Sequence, residues 1–169
     1  MAGSLHQIDF LLTSTESVDE ATPTAILRQW RTDLVRASVS VSYAIGVLSL
    51  DIEVLNHSLT SSSEDVLQVI VDDLPRILAS GWIEGGWSIS PVTEFAIDQA
   101  EALLGLHAEM VTSNLSDHAA VHDLLARTKQ ERQVFYKLRG QLNDRLSQIQ
   151  DVVRKQYAAG VASIDDWLK

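Results

Sequence analysis

The stretch that decides the fold is 24-TAILRQWRTDLVRASVSVSYAIGVLSLDIEVLNHSL-59. Leu27, Trp30, Leu34, Ala37, Val41, Ala44 and Leu48 follow one another in alternating steps of three and four, the spacing of a coiled-coil seam. Asp51 falls on the next seam position, and Leu55 resumes the apolar series. A second stripe, Ile45, Ile52 and Leu59, widens the apolar face toward the end. Just before the stretch, Thr22-Pro23 combines a capping hydroxyl with a proline placed where a helix needs no amide donor. The spacing predicts a helix of about 35 residues, roughly 50 Å long. Val39, Val41 and Val47 carry strand propensity. The competing reading is therefore a mixed fold with a strand in 39–54.

A matching segment closes the chain. Ser116 or Asp117 can cap a helix that runs to about Ala159, where Gly160 provides a left-handed end. Leu124, Leu125, Val134, Phe135, Leu138, Leu142, Leu146, Ile149, Val153 and Tyr157 are assigned to its buried side. Lys129, Arg132, Lys137, Arg139, Asp144, Arg145 and Arg154 are assigned to the opposite side. Two helices of this length, separated by shorter elements, are expected to lie antiparallel along their seams. The predicted fold is all-α: an antiparallel, coiled-coil-like hairpin (helices about 24–59 and 117–159) with shorter intervening helices. Gly46 and Gly140 interrupt these helices and are read either as points of close backbone approach or as tolerated defects.

Between the long helices, residues 60–63 form a break, with Glu64 and Asp65 starting a short helix that ends at Leu74-Pro75. Ile77 and Leu78 add one more turn. Residues 81–90 form a loop rich in glycine with Trp82 and Trp87, read as a packing or partner-contact element or as an aromatic ligand site. Ser90-Pro91 restarts a helix over about 92–111, with a buried face at Phe95, Ile97, Ala100, Leu103, Leu104, Leu106 and Met110. Residues 1–20 are expected as a flexible arm, with Ile8 to Leu12 a docking strip or short helix, and residues 21–169 as a single helical domain.

Composition narrows the function. The formal net charge of −10 disfavours direct nucleic-acid binding by the bulk surface, because that affinity comes largely from neutralised phosphates. The acidity serves solubility, or it complements a basic protein partner. With no cysteine there is no disulfide or thiolate chemistry, which suits a cytoplasmic setting. No apolar stretch is read as long enough to span a bilayer, and no membrane association is expected. Gly85-Gly86 lacks the Lys and Ser/Thr of a phosphate loop, and no nucleophile elbow is present. His118 and His122, one turn apart between Asp117 and Asp123, have metal-compatible spacing but no third ligand placed by sequence. No catalytic residue and no metal site are assigned; the chain reads as a binding protein, not an enzyme.

Several pieces resemble one family in order and spacing. They are Ser42-Tyr43 through Ile52-Glu53-Val54-Leu55, Leu74-Pro75-Arg76-Ile77-Leu78, Asp123-Leu124-Leu125-Ala126-Arg127-Thr128, Glu131 to Tyr136, and Tyr157-Ala-Ala-Gly160 through Asp165-Asp166-Trp167-Leu168. Together they resemble the RsiG-type anti-sigma factors of actinobacteria over about residues 38–169. The resemblance implies a helical hairpin that sequesters a sigma factor of the FliA/WhiG class. In many members cyclic di-GMP holds that complex together, gripped on each hairpin helix by Glu, Ser, Arg, Gln and Asp at steps of four, three, four and four.

This sequence departs from that motif. The matching positions on the first helix are Ser38, Ser42, Ile45, Ser49 and Glu53. On the last helix, a register starting at Glu131 reads Phe135, Leu138 and Leu142, then Leu146. A shift of one residue recovers Arg139 but sets Arg132, Tyr136, Asn143 and Ser147 at the other positions. A phosphate buried without donors would cost several kcal/mol, so the dinucleotide mode is expected to be lost and no cofactor is assigned. Trp82, Trp87, Arg132, Arg139 and Tyr157 are the candidates for partner contact. The expected function is sequestration of a sigma factor; the alternatives are a helical adaptor or assembly chaperone for another protein, and a ligand-sensing module built on the tryptophan loop.

Overall fold

A computed structural model describes residues 2–60 and 100–160, with side chains from residue 5 onward. The expectations for the break after Thr60, the short helix near 64–73, the tryptophan loop, the start of the 92–111 helix and the tail after Gly160 lie outside the described residues. The regular elements described are all helices: α1 (Ala2–Ser14), α2 (Thr24–Thr60), α3 (Gly105–Thr112) and α4 (His118–Ala158).

α2 and α4 form the helical hairpin. Three side-chain bonds fix the register: Thr24 to Gln156, Ser38 to Asn143, and Arg132 to Ser49. Advancing from Ser38 to Ser49 on α2 matches an equal retreat from Asn143 to Arg132 on α4, so the helices run antiparallel without slipping. The α2 seam is buried as its spacing requires. Leu27, Leu34, Val41, Ala44, Leu48 and Leu55 have no exposed surface, and Ala37 and Asp51 have almost none. Ile45 and Ile52 are buried beside them, so the widened face is real. The valines at 39, 41 and 47 stay helical, because tertiary burial of a continuous stripe outweighs the weak local strand preference.

On α4, Val121, Leu124, Thr128, Phe135, Leu138, Leu142, Ile149, Val152 and Gln156 are buried. Two assignments to this seam are corrected: Val134 and Tyr157 are 54% and 53% exposed. A helical step of 100° puts Val134 well to the side of its buried neighbour Phe135, and Tyr157 beyond Gln156. Gln156, a polar residue outside the apolar series, is buried and ties the two helix ends together. Its amide donates to the carbonyls of Glu20 (3.1 Å) and Thr22 (2.7 Å), and its oxygen accepts from the Thr24 hydroxyl (3.3 Å).

The helix ends follow local chemistry, with one correction. Asp117 caps α4, its carboxylate accepting from the amides of Ala119 and Ala120. Gly160 closes it at φ 70°, the left-handed conformation that glycine adopts without a Cβ penalty. The Thr22 hydroxyl does not cap α2. It bonds back to the Asp19 amide and carboxylate, and the Pro23 carbonyl instead accepts the first helical bond, from Leu27.

The segment expected as a flexible arm is helical over Ala2–Ser14. Ile8, from its apolar cluster, is buried against the hairpin, with Leu11 and Leu12 packed beside it. The helix expected through Val111 is interrupted. Leu103 and Leu104 make tightened three-residue turn bonds to Ala100 and Glu101 before α3 begins at Gly105. Ala100, Leu103, Leu104 and Met110 are buried, as their spacing indicated.

The membrane expectation also needs correction. By length and composition α2 could cross a bilayer: one 18-residue window has mean hydropathy 1.5, and 61% of that window is buried inside the protein. The apolar residues responsible include those that form the core against α4.

Candidate functional site

The hairpin has a polar flank beside its apolar seam. Steps of three and four on α2 carry Ser38, Ser42 and Ser49 along this edge; the same steps on α4 carry Arg132, Tyr136, Arg139 and Asn143. The two edges bond directly. The Ser38 hydroxyl donates to Asn143 Oδ1 at 3.0 Å, and the Arg132 guanidinium donates to Ser49 Oγ at 3.2 Å. Ser49 in turn donates to the Ile45 carbonyl at 2.7 Å. Between these links, Arg139 stands over the Tyr136 ring at 5.1 Å and Arg132 lies 6.0 Å from the same ring. At such a partly exposed site each cation–π contact contributes about 0.5–1 kcal/mol.

The geometry separates the two registers read from the sequence. Phe135, Leu138 and Leu142, which follow from a start at Glu131, lie in the core. The series starting at Arg132 is the one on the flank. Ile45 is buried in the core, while Glu53 is exposed farther along α2. Glu131 is half-buried; burial pushes its carboxyl above the ordinary range, and the positive charge of Arg127 opposes the shift. Of the residues singled out, Ser38, Ser49, Arg132 and Arg139 therefore share one flank with Ser42. Tyr157 is exposed at the far end of α4, and Trp82 and Trp87 lie outside the described residues.

A buried polar level crosses the hairpin near the same place. Asp51 is 1% exposed, and both of its carboxylate oxygens meet His107 Nδ1 of α3, at 2.9 and 3.1 Å. Burial raises the Asp51 carboxyl above its usual range; the hydrogen bond and charge of His107 pull the other way. A charged residue on a seam signalled that a partner was needed, but nothing near it in sequence named His107.

Asp117 is the cap of α4, Asp123 pairs with Arg127 at 2.9 Å, and His118 and His122 are exposed. Arg127 also binds the Glu109 carboxylate through both terminal nitrogens, which holds Glu109 below its ordinary range. Among the described residues no group of three or more His, Asp or Glu side chains could hold a metal ion. α4 holds eight of the chain's thirteen Lys and Arg but only four of its twenty-three Asp and Glu, so the acidity is carried by the rest of the chain. No family model matches this chain, and no curated protein or solved structure is significantly similar to it.

Proposed function

We propose that this chain is a cytoplasmic anti-sigma factor that binds and sequesters a sigma factor of the FliA/WhiG class without cyclic di-GMP. The reading rests on the resemblance over residues 38–169 and is supported by the helical hairpin that the resemblance calls for. One observation carries its second half. At positions matching the family's ligand motif, the helix edges bond to each other through Ser38–Asn143 and Arg132–Ser49. The hairpin closes this flank with its own side chains, and Ile45 withdraws the position of a ligand-binding arginine into the core.

In this mechanism the hairpin occludes sigma surfaces that core polymerase or promoter DNA would use. The acidic remainder of the chain complements basic DNA-binding faces, which favours encounter and orientation more than raw affinity. Exposed Val134, Tyr136 and Tyr157 offer amphipathic contact area along α4.

Two measurements test the proposal. Co-expression with a FliA/WhiG-class sigma factor, followed by size-exclusion chromatography, should give a stable complex. Capture of an unrelated protein from source lysate, with no sigma complex, would favour the adaptor reading. Titration calorimetry of the complex with cyclic di-GMP, at low and physiological salt, should show no micromolar binding. Saturable binding of about one or two dinucleotides per chain would mean that the altered motif still works and that the protein is a switch.

A further inference from the structure

α4 is a basic helix in an acidic chain. It carries eight Lys and Arg against four Asp and Glu, while the whole chain has a net charge of −10. The proposed function draws on the acidic remainder and leaves this local excess without a role. Three guanidinium groups lie along the polar flank. Arg132 and Arg139 are seven residues apart on α4, two turns or about 10 Å. On α2, Arg31 precedes Ser38 by seven residues, so it stands on the same edge. The register that sets Ser38 against Asn143 puts Arg31 level with Gln150, about 16 Å beyond Arg139.

Among the described residues no carboxylate pairs with any of these three. The acids of the same stretches turn elsewhere. Asp33 lines a cavity between α1 and α2, where it accepts both bonds from Gln29. Asp144 follows Asn143 by one helical step of about 100°, toward the outer face of α4. Arg132 uses one terminal nitrogen on Ser49, and Arg139 is held by its contact with the face of the Tyr136 ring. Ring stacking leaves the N–H edge of a guanidinium available for a carboxylate. Tyr136 is itself 39% exposed between them and adds apolar area.

We propose that this flank docks an acidic helix of a partner protein, with carboxylates at i, i+7 and i+18 meeting Arg132, Arg139 and Arg31. Those intervals reproduce the two separations on the flank, and each is close to a whole number of turns, so one face of the partner helix carries all three acids. The sparse spacing suits side-chain carboxylates better than a nucleic-acid strand, whose phosphates recur far more densely and would meet the acidic remainder of the chain. Any protein can supply such a helix, so this contact and sigma-factor sequestration fail separately.

The test uses the full chain with three probes. The first is a fluorescein-labelled helical peptide of alanine and glutamine with glutamates at i, i+7 and i+18. The second spreads the same three glutamates around the helix, at i, i+5 and i+10. The third is a short single-stranded DNA, used as competitor. Fluorescence anisotropy at low salt should show saturable one-to-one binding of the first peptide, weakened about fivefold or more at physiological salt. The spread peptide should bind clearly more weakly. Arg139→Gln and Arg31→Gln should each weaken the first peptide by about threefold or more. Lys137→Gln removes the same charge one helical step beyond Tyr136, off the flank, and should change affinity by less than about twofold. Arg31 is exposed, so its variant should keep the parent melting temperature and leaves the question decidable if Arg139→Gln perturbs α4. No saturable binding of the first peptide overturns the proposal. So does equal binding of the two peptides, or a Lys137→Gln loss as large as that of Arg139→Gln. Displacement of the peptide by an equal concentration of DNA also overturns it, and would mark the flank as a phosphate-binding surface.

Discussion

Two stretches of the same hairpin seam are built differently. From Leu27 to Leu48, α2 packs on the Phe135–Val152 part of α4 in one large apolar cluster, joined by Ile8 and Leu103. From Ile52 to Leu55 the cluster is smaller, and it includes Met110 of α3 together with Val121, Leu124 and Leu125. The two are parted at Asp51, with Thr128 buried on α4 and Glu131 half-buried near the same level. In the first stretch, side chains spaced by three and four supply a seam between the two long helices. In the second, the seam carries a charge, and α3 supplies both an apolar cover and the His107 partner. The heptad spacing thus sets where side chains point, while the chemistry at each position decides what kind of partner must meet it there.

The largest expected effect attacks the first stretch. Leu48→Asp would place a carboxylate where the parent side chain has no exposed surface, and such burial costs several kcal/mol. Circular dichroism at 222 nm should show loss of the cooperative helical transition. A melting temperature within about a degree or two of the parent would mean that residue 48 reaches solvent. Truncation sharpens the contrast between the stretches. Leu48→Ala and Leu55→Ala should each cost about 2–5 kcal/mol, with Leu55→Ala the milder, because unbranched Met110 in its cluster can relax into the space. Equal urea midpoints would remove that distinction.

The polar level between them gives the next effect. At neutral pH His107→Ala should destabilise by about 3–5 kcal/mol, since it strands a buried carboxylate. Asp51→Asn in that background should recover most of the loss. The pH dependence has a definite sign. The folded-state carboxyl of Asp51 is raised, so its contribution to stability is fully present below the unfolded carboxylate range and is lost as pH rises through the folded value. Asp51→Asn alone should therefore gain on the parent from acid toward neutral pH, as urea midpoints at a series of pH values would show. A difference that stays flat with pH would mean that Asp51 titrates in the folded protein as it does unfolded.

The smallest effect lies on the solvent side of α4. A Cβ at Gly140 would meet nothing within 4 Å, so the reading of close backbone approach does not hold there. Gly140→Ala should stabilise by up to about 1 kcal/mol through helix propensity, which scanning calorimetry would register as a rise of about 2–4 °C. A fall would reveal a close contact at that position.

The sequence by itself determined the two long helices, the seam of α2 from Leu27 to Leu55 and the Gly160 end, and it narrowed the α4 cap to Ser116 or Asp117. Each follows from periodicity or local backbone chemistry within a few residues, which a linear reading can see. It erred on Val134 and Tyr157, because apolar type alone does not fix a side chain's angle around a helix to the nearest hundred degrees. The tertiary structure alone decided which of two registers on α4 faces Ser38 and Ser49, since the choice turns on one residue of rotation set by Phe135, Leu138 and Leu142 packing in the core. It also decided that His107 answers Asp51, that Gln156 ties the start of α2 to the end of α4, and that α1 docks through Ile8 and leaves Phe10 beside a cavity. These pairings join residues far apart along the chain. Their energies depend on distance, direction and exclusion of water, quantities that exist only once the helices have packed.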